Sequence, residues 1–397
     1  MSDWPESAGS AEVPEARESI ETPEPTETPD DGPELAGGAA VTSSAAPPSA
    51  SGAPTSPVRP EDLSGHPDVI GSAESMGRSS EVDFPAPTAG AVRVAAIDCG
   101  TNSIRLLIAD VADGKLTELD RRMTVVRLGQ GVDSTGAFAP EALERAFVAS
   151  DEYAALVRRA GAERIRFVAT SAARDVSNRD EFFAGIRERF GVDPDIISGD
   201  EEAALSFQGA TAGLADLDVP GPYLVADIGG GSTELVLGDE TGVIAAQSLD
   251  MGSVRMTERH LPSDPSSIPE MAAATKDVDD LLDTTTVPLH QARTLIGVAG
   301  TVTTVAAVAL KLTEYDPAVI HHARIEGPLL LDTTSWLMGS TRVQRTVEPA
   351  IHPGRVDVIG AGALILQRLY DRLTLTRDEV VVSEHDILDG VALALGR

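Results

Sequence analysis

The chain has 397 residues, with 31 basic against 63 acidic side chains and a formal net charge of −32 at pH 7. That balance argues against general nucleic-acid binding, and with no apolar run of about 20 residues no membrane helix is expected. Cys99 is the single cysteine, so an internal disulfide or a cysteine zinc site is excluded and a reducing, cytoplasmic setting is expected.

Residues 1–90 differ from the rest. They hold 17 acidic residues, three arginines and 14 of the 26 prolines. Stretches such as 21–29 and 45–54 cannot bury enough apolar surface to offset chain entropy. A disordered acidic, Pro-rich tail is expected over 1–90. It has neither the basic start nor the apolar segment of a secretory signal. The remainder suffices for two domains, expected at 91–217 and 218–397.

From residue 91 onward, strands and helices alternate. Strands are predicted at 93–97, 104–111 and 116–126, with a hairpin turn at Ala112-Asp113-Gly114. Pro140 opens a helix that runs to about residue 159. A buried strand at 165–169, a helix at 180–190 and a strand at 195–197 follow. Ser198-Gly-Asp-Glu201 fits a capping box ahead of a helix over 202–211, with Glu201 as the partner of Ser198. The turn-rich segment 215–222 is the boundary between domains. The second half restarts with strands at 224–228, 233–238 and 243–248, then helices near 253–260 and 269–282. A strand at 295–299 enters a glycine turn and an apolar helix to residue 312. A helix over 356–373, a strand at 379–383 and a helix at 387–395 close the chain. Strands then helices, twice over, predict an α/β protein with mixed sheets.

One short pattern occurs twice, about 130 residues apart. Val94–Ile108 contains Asp98-Cys-Gly100-Thr101-Asn102-Ser103, and Tyr223–Leu237 contains Asp227-Ile-Gly229-Gly230-Gly231-Ser232-Thr233-Glu234. Each copy reads strand, tight turn, strand. Glycine lets the backbone approach a ligand closely. Successive N–H groups in such a turn form a nest for phosphate oxygens, and the hydroxyl and amide side chains add donors. Asp98 and Asp227 sit at strand ends facing the same space, and carboxylate oxygens beside phosphate suit Mg²⁺. Two copies imply two related half-domains around one phosphate-bearing ligand. Cys99 reads as a small buried filler rather than a reactive thiol.

These residues resemble the exopolyphosphatase / guanosine pentaphosphate phosphatase family, within the actin–Hsp70–sugar kinase fold group. The resemblance covers about residues 92–397. It rests on the two loops above together with Ala169-Thr-Ser-Ala-Ala-Arg174, Ile197-Ser-Gly-Asp-Glu-Glu-Ala203, Val298-Ala-Gly300-Thr301 and Arg355-Val-Asp-Val-Ile359. It implies two ribonuclease-H-like domains flanking a cleft, in the short two-domain form, and hydrolytic release of the terminal phosphate of polyphosphate with Mg²⁺. It places the catalytic base on Glu202 and metal residues on Asp227 and Glu234, with Asp98 beside them. Gly100, Thr101, Asn102, Ser103, Gly229, Gly230, Gly231, Ser232, Thr233, Gly300 and Thr301 are then substrate-binding. Arg105 and Arg174 are the candidates to stabilise the transferring phosphoryl group, and Arg93, Arg127 and Arg255 extend a basic track. The expected partner is inorganic polyphosphate, with guanosine pentaphosphate or nucleoside polyphosphates as alternatives, and a homodimer is expected; no nucleic acid or membrane is.

Three further readings bear on function. A guanosine pentaphosphate 5′-phosphatase attacks the same kind of anhydride, and the glycine loops do not separate it from an exopolyphosphatase. A catalytically weak polyphosphate-binding regulator is disfavoured by the joint presence of Glu202, Asp227 and Glu234. A sugar kinase needs a larger first domain. His385-Asp386 resembles a metal-binding dipeptide of another phosphohydrolase class but has no companion histidine motif, and His321-His322 reads as core or surface.

Overall fold

The computed structural model describes residues 83–174, 176–214 and 217–397. Most of the tail expected over 1–90 lies outside the described residues. The first sheet is built from β1 (Val92–Cys99), β2 (Ser103–Ala112), β3 (Lys115–Val125), β4 (Arg164–Ala169) and β5 (Asp195–Ile196), in the order β3-β2-β1-β4-β5. Its helices are α1 (Val132–Thr135), α2 (Pro140–Ala160), α3 (Ser171–Arg174), α4 (Arg179–Phe190) and α5 (Gly199–Thr211).

The second sheet repeats the plan with β6 (Tyr223–Ile228), β7 (Thr233–Asp239), β8 (Gly242–Leu249), β9 (Thr294–Val298), β10 (Arg324–Glu326) and β11 (Glu379–Val382), in the order β10-β11-β9-β6-β7-β8. It carries α6 (Ser253–His260), α7 (Ile268–Asp283), α8 (Ala299–Ala309), α9 (Pro317–Ile320), α10 (Gly327–Gly339), α11 (Arg342–Thr346), α12 (Ile359–Tyr370) and α13 (Ile387–Leu395). In each sheet an antiparallel three-strand meander continues into parallel pairing, β1 with β4 and β6 with β9. These are two mixed sheets on one plan, the two-lobed α/β architecture that the repeated motif predicts.

The central strands are covered on both faces, which is why they read as unbroken apolar runs. Ala95, Ile97 and Cys99 of β1 pack with Leu143, Ala146 and Phe182 of α2 and α4, while Val94 and Ala96 pack with Leu388 and Val391 of α13. In β6, Leu224, Ala226 and Ile228 face the large core with Val302 and Leu364, and Tyr223 and Val225 face Ala203 and Phe207 of α5. So α5 lies on the second sheet, α13 lies on the first, and the two helices pack against each other. Their crossing is close enough that a Cβ at Gly390 would collide with the Leu205 carbonyl. The cleft floor is therefore braced by two helices that each reach across to the other lobe's sheet.

Cys99 is buried, as expected of a filler. The capping box at α5 is half made: Ser198 Oγ accepts from the Glu201 N–H at 3.1 Å, but the Glu201 carboxylate accepts from Arg166 at 2.6 Å instead of reaching back. The helix expected from 356 starts at Ile359, after a 3₁₀ turn over Pro353–Arg355. The strand expected to reach 299 stops at Val298, and Ala299 opens α8 with a left-handed φ of +64°. No helix among the described residues is long and apolar enough to cross a membrane.

Candidate active site

The two glycine loops are the same object twice. Gly100 N–H donates to Ser103 O at 3.0 Å, and Gly229 N–H donates to Ser232 O at 3.1 Å. In the ladders below them, Asp98 stands opposite Arg105 and Asp227 stands opposite Glu234. Both loops open into one cleft of about 770 Å³, its open mouth included. The first lobe supplies Asp98, Gly100, Thr101, Asn102, Ser103, Arg105, Thr170, Ser171 and Glu202; the second supplies Asp227, Gly229, Gly230, Ser232, Glu234, Ser253, Gly300, Thr301 and Arg355.

Glu202 sits in the first turn of α5, which Ser198 caps, and is 7% exposed. Its Oε2 accepts from Arg174 Nη1 at 2.9 Å. Burial raises its carboxyl to about 7; Arg174 opposes this, and Asp227 and Asp98 add to it. Burial likewise raises Asp227 to about 7, with Asp386 adding and the Ser206 hydroxyl, donating at 2.7 Å, opposing. Glu234 goes well above the ordinary range through burial and the nearby Glu202 and Asp227, despite a 2.7 Å hydrogen bond from Ser248. Asp98 is raised by burial against the pull of Arg105.

Arg105 holds Asp98 through Nη2 at 2.6 Å and Asp386 through Nη1. Asp386 also caps α13, accepting from Leu388 N–H at 3.0 Å. Arg105 thus lines the cleft with its guanidinium already committed to carboxylates. Arg174 lies outside the lining and reaches the site through Glu202, which makes it a positioning residue. Arg93 points away altogether: it is 2% exposed and paired with Asp110 at 2.8 Å. Thr233 is fully buried and donates to Met251 O at 2.6 Å, so its hydroxyl serves the turn and not the cleft. Gly231 also lies outside the lining. His321 and His322 stack on each other at 3.6 Å, away from the lining.

The cleft contains groups that the motifs contained without marking. Arg355 lines it and, among the described residues, is the lining arginine outside any ion pair; its Nη1 donates to Gly300 O at 3.2 Å and Thr304 Oγ1 at 3.1 Å. Gly300 leaves room for that guanidinium, which a Cβ here would push aside. Ser171 faces Thr101 across 3.1 Å, and Ser253, which lies in none of the motifs, enters from the start of α6. The signals were the segments 169–174 and 355–359, whose side chains only the fold orients.

The carboxylates fit a hard divalent cation. Asp98 Oδ1 is buried with no hydrogen-bond partner, and Asp227 and Glu234 face each other with like charge. No three His, Cys, Asp or Glu side chains among the described residues are grouped to hold an ion by themselves.

Comparison with known proteins agrees with this geometry. The pattern of the Ppx/GppA phosphatase family matches residues 107–395. The chain is 51% identical over 316 residues to exopolyphosphatase 2 of Mycobacterium tuberculosis, covering 76% of this chain and 98% of that protein. It is 37% identical over 166 residues to guanosine-5′-triphosphate,3′-diphosphate pyrophosphatase of Vibrio cholerae, covering 42% of this chain and 33% of that one. The crystal structure of an exopolyphosphatase-like protein superimposes with a TM-score of 0.75 at 46% identity, covering 78% of this chain and 98% of its own. Matched over most of its length, the chain belongs to the Ppx/GppA phosphatase family.

Proposed function

We propose that the protein is an exopolyphosphatase that hydrolyses the terminal phosphoanhydride of inorganic polyphosphate and releases orthophosphate. The observation that carries this reading is Glu202: a buried carboxyl with a pKa of about 7, held by Arg174, in a cleft lined by both phosphate loops. A pKa near neutrality is what a general base needs. The terminal phosphoryl group binds between the turns at 100–103 and 229–232, with Arg355, outside any ion pair among the described residues, as the guanidinium that meets its oxygens. Glu202 orients a water and takes its proton as the water oxygen bonds to phosphorus and the bridging P–O bond breaks. Phosphoryl transfer asks for little beyond such positioning and charge neutralisation. Mg²⁺ held near Asp227 and Glu234, with Asp98 beside them, would supply charge neutralisation on the phosphate oxygens.

The likeness to the Vibrio cholerae enzyme supports a second reading, a guanosine pentaphosphate 5′-phosphatase. Phosphate release measured side by side on short polyphosphate, long polyphosphate and guanosine pentaphosphate separates them. Faster release from polyphosphate is expected. A reversed preference assigns the second reading, and no release from any substrate overturns both.

A further inference from the structure

The rim of the cleft carries charges that this chemistry leaves unused. On the first lobe, the segment after β3 is tied to the phosphate loop: Arg127 N–H donates to Asn102 O and Gly129 N–H to Thr101 O, each at 2.8 Å. Arg127 holds a left-handed φ of +50°, unfavourable for a residue with a Cβ. On the second lobe, Arg255 follows the lining Ser253 by two residues and donates to Gly231 O at 2.8 Å, and Asp357 precedes the lining Val358. Across the rim, Arg127 grips Asp357 with two bonds of 2.8 and 3.1 Å. Asp133 accepts from Arg255 at 2.7 Å and from Arg259 at 3.0 Å. Gly131 N–H donates to Glu258 at 3.0 Å. Arg259 also pairs with Asp277 at 3.1 Å, and Asp250 lies 3.8 Å from Arg255.

We propose that Arg127, Arg255 and Arg259 form a distal polyanion site at the rim, which Asp133 and Asp357 fill until the outer phosphates of a long chain displace them. The proposal rests on the exopolyphosphatase reading. The side chains in these pairs are 16–35% exposed, so water and salt already weaken them. A phosphate offers a guanidinium the same bidentate oxygen pair as a carboxylate. Once the terminal phosphate is seated in the cleft, the following units are tethered at high effective concentration beside the arginines. Exchange of carboxylate for phosphate then favours a long chain, while a short substrate is held by the loops alone. The rim arginines thereby set chain-length preference.

The test reads the ratio of KM on long-chain polyphosphate to KM on tripolyphosphate. The double variant Asp133→Asn/Asp357→Asn removes the competitors and should lower that ratio about three- to tenfold, while Arg259→Gln and Arg127→Gln should raise it by a similar factor, given the modest strength of such pairs. Arg187→Gln, on α4 and paired with Asp193 at the surface, removes one charge elsewhere and should leave the ratio alone. Opposite signs from the two sides of one pair cannot come from loss of folding. If all rim variants shift both substrates together, the pairs merely fasten the lobes and the proposal falls. It falls equally if the ratio does not move. Should the wild type hydrolyse neither substrate, the functional reading fails instead, and calorimetric binding of long-chain polyphosphate to the same variants still decides the rim site.

Discussion

The hairpin at 98–105 and the hairpin at 227–234 share a turn hydrogen bond, a register and a place in the cleft lining, and they carry opposite charges at one matching position. Seven residues after its aspartate, directly opposite it, the first carries Arg105 and the second carries Glu234. In the first, the guanidinium holds both Asp98 and Asp386, so a buried carboxylate pair is compensated within the protein. In the second, two like charges face each other across a ladder, an arrangement that costs stability, and both carboxyls are driven to higher pKa. The first hairpin is thus largely balanced by its own arginine, with Asp98 Oδ1 left unpartnered. The second is completed by protons or by a cation. One fold used twice has divided the work through a single side chain.

Glu202 lies on neither hairpin, and its removal gives the largest effect. Glu202→Gln should cost about 10²–10⁴-fold in turnover, the usual contribution of a general base, while polyphosphate binding measured by calorimetry persists. Turnover within about threefold of wild type would transfer the base's role to a hairpin carboxylate.

Arg105→Met attacks the compensated hairpin. It leaves Asp98 and Asp386 buried without a cation, and stripping one partner from a buried pair costs about 3–5 kcal/mol. Urea unfolding followed by circular dichroism should register that loss. A change below about 1 kcal/mol would mean that the two carboxyls simply share a proton, and the contrast between the hairpins would lose its basis.

Glu234→Gln attacks the uncompensated hairpin and should have the opposite sign. Removing a like charge should stabilise the metal-free protein at pH 8 by about 1 kcal/mol, while raising the Mg²⁺ concentration needed for half-maximal activity. A destabilised variant with an unchanged Mg²⁺ requirement would place the metal elsewhere.

The hairpins were legible because their signal is local. Alternating apolar runs, glycine and short hydroxyl residues lie within a dozen positions, and Asp98, Asp227 and Glu202 follow from them with the family resemblance. Orientation was not legible. Arg105, Arg174 and Arg93 are equally good phosphate ligands by type, and only the fold shows that Arg105 lines the cleft, that Arg174 reaches it through Glu202 and that Arg93 is paired with Asp110. Arg355 was the converse: its motif was visible, but its freedom depends on Gly300 making room. No element was assigned over 313–355 because α10 opens on Gly-Pro and contains Thr333 and Thr334. These are weak helix formers, and the helix is held by Leu330 and Leu337 in the core with Leu364 and Leu366.

The smallest effect is a difference between two pH dependences of stability. Glu202 rises from 4.5 to about 7 and Asp227 from 3.8 to about 7 in the folded protein. Below about pH 4 both folded and unfolded chains hold these protons, and the raised values cost nothing. Between there and pH 7 the folded protein keeps protons that the unfolded chain has released, so stability falls as pH rises through that window. Each retained proton contributes a slope of at most about 1.4 kcal/mol per pH unit. Without metal, the melting temperature should therefore decline from pH 5 to pH 8 through these groups. Saturating Mg²⁺ should flatten the decline, because the cation replaces the protons on the second hairpin. The informative quantity is wild type minus Glu234→Gln, which cancels the titrations the two proteins share: the variant removes the raised Glu234 carboxyl itself and should show the shallower slope. An equal slope in both would mean that the second hairpin's carboxylates do not share their protons with Glu202, and the division of labour between the hairpins would rest on Arg105 alone.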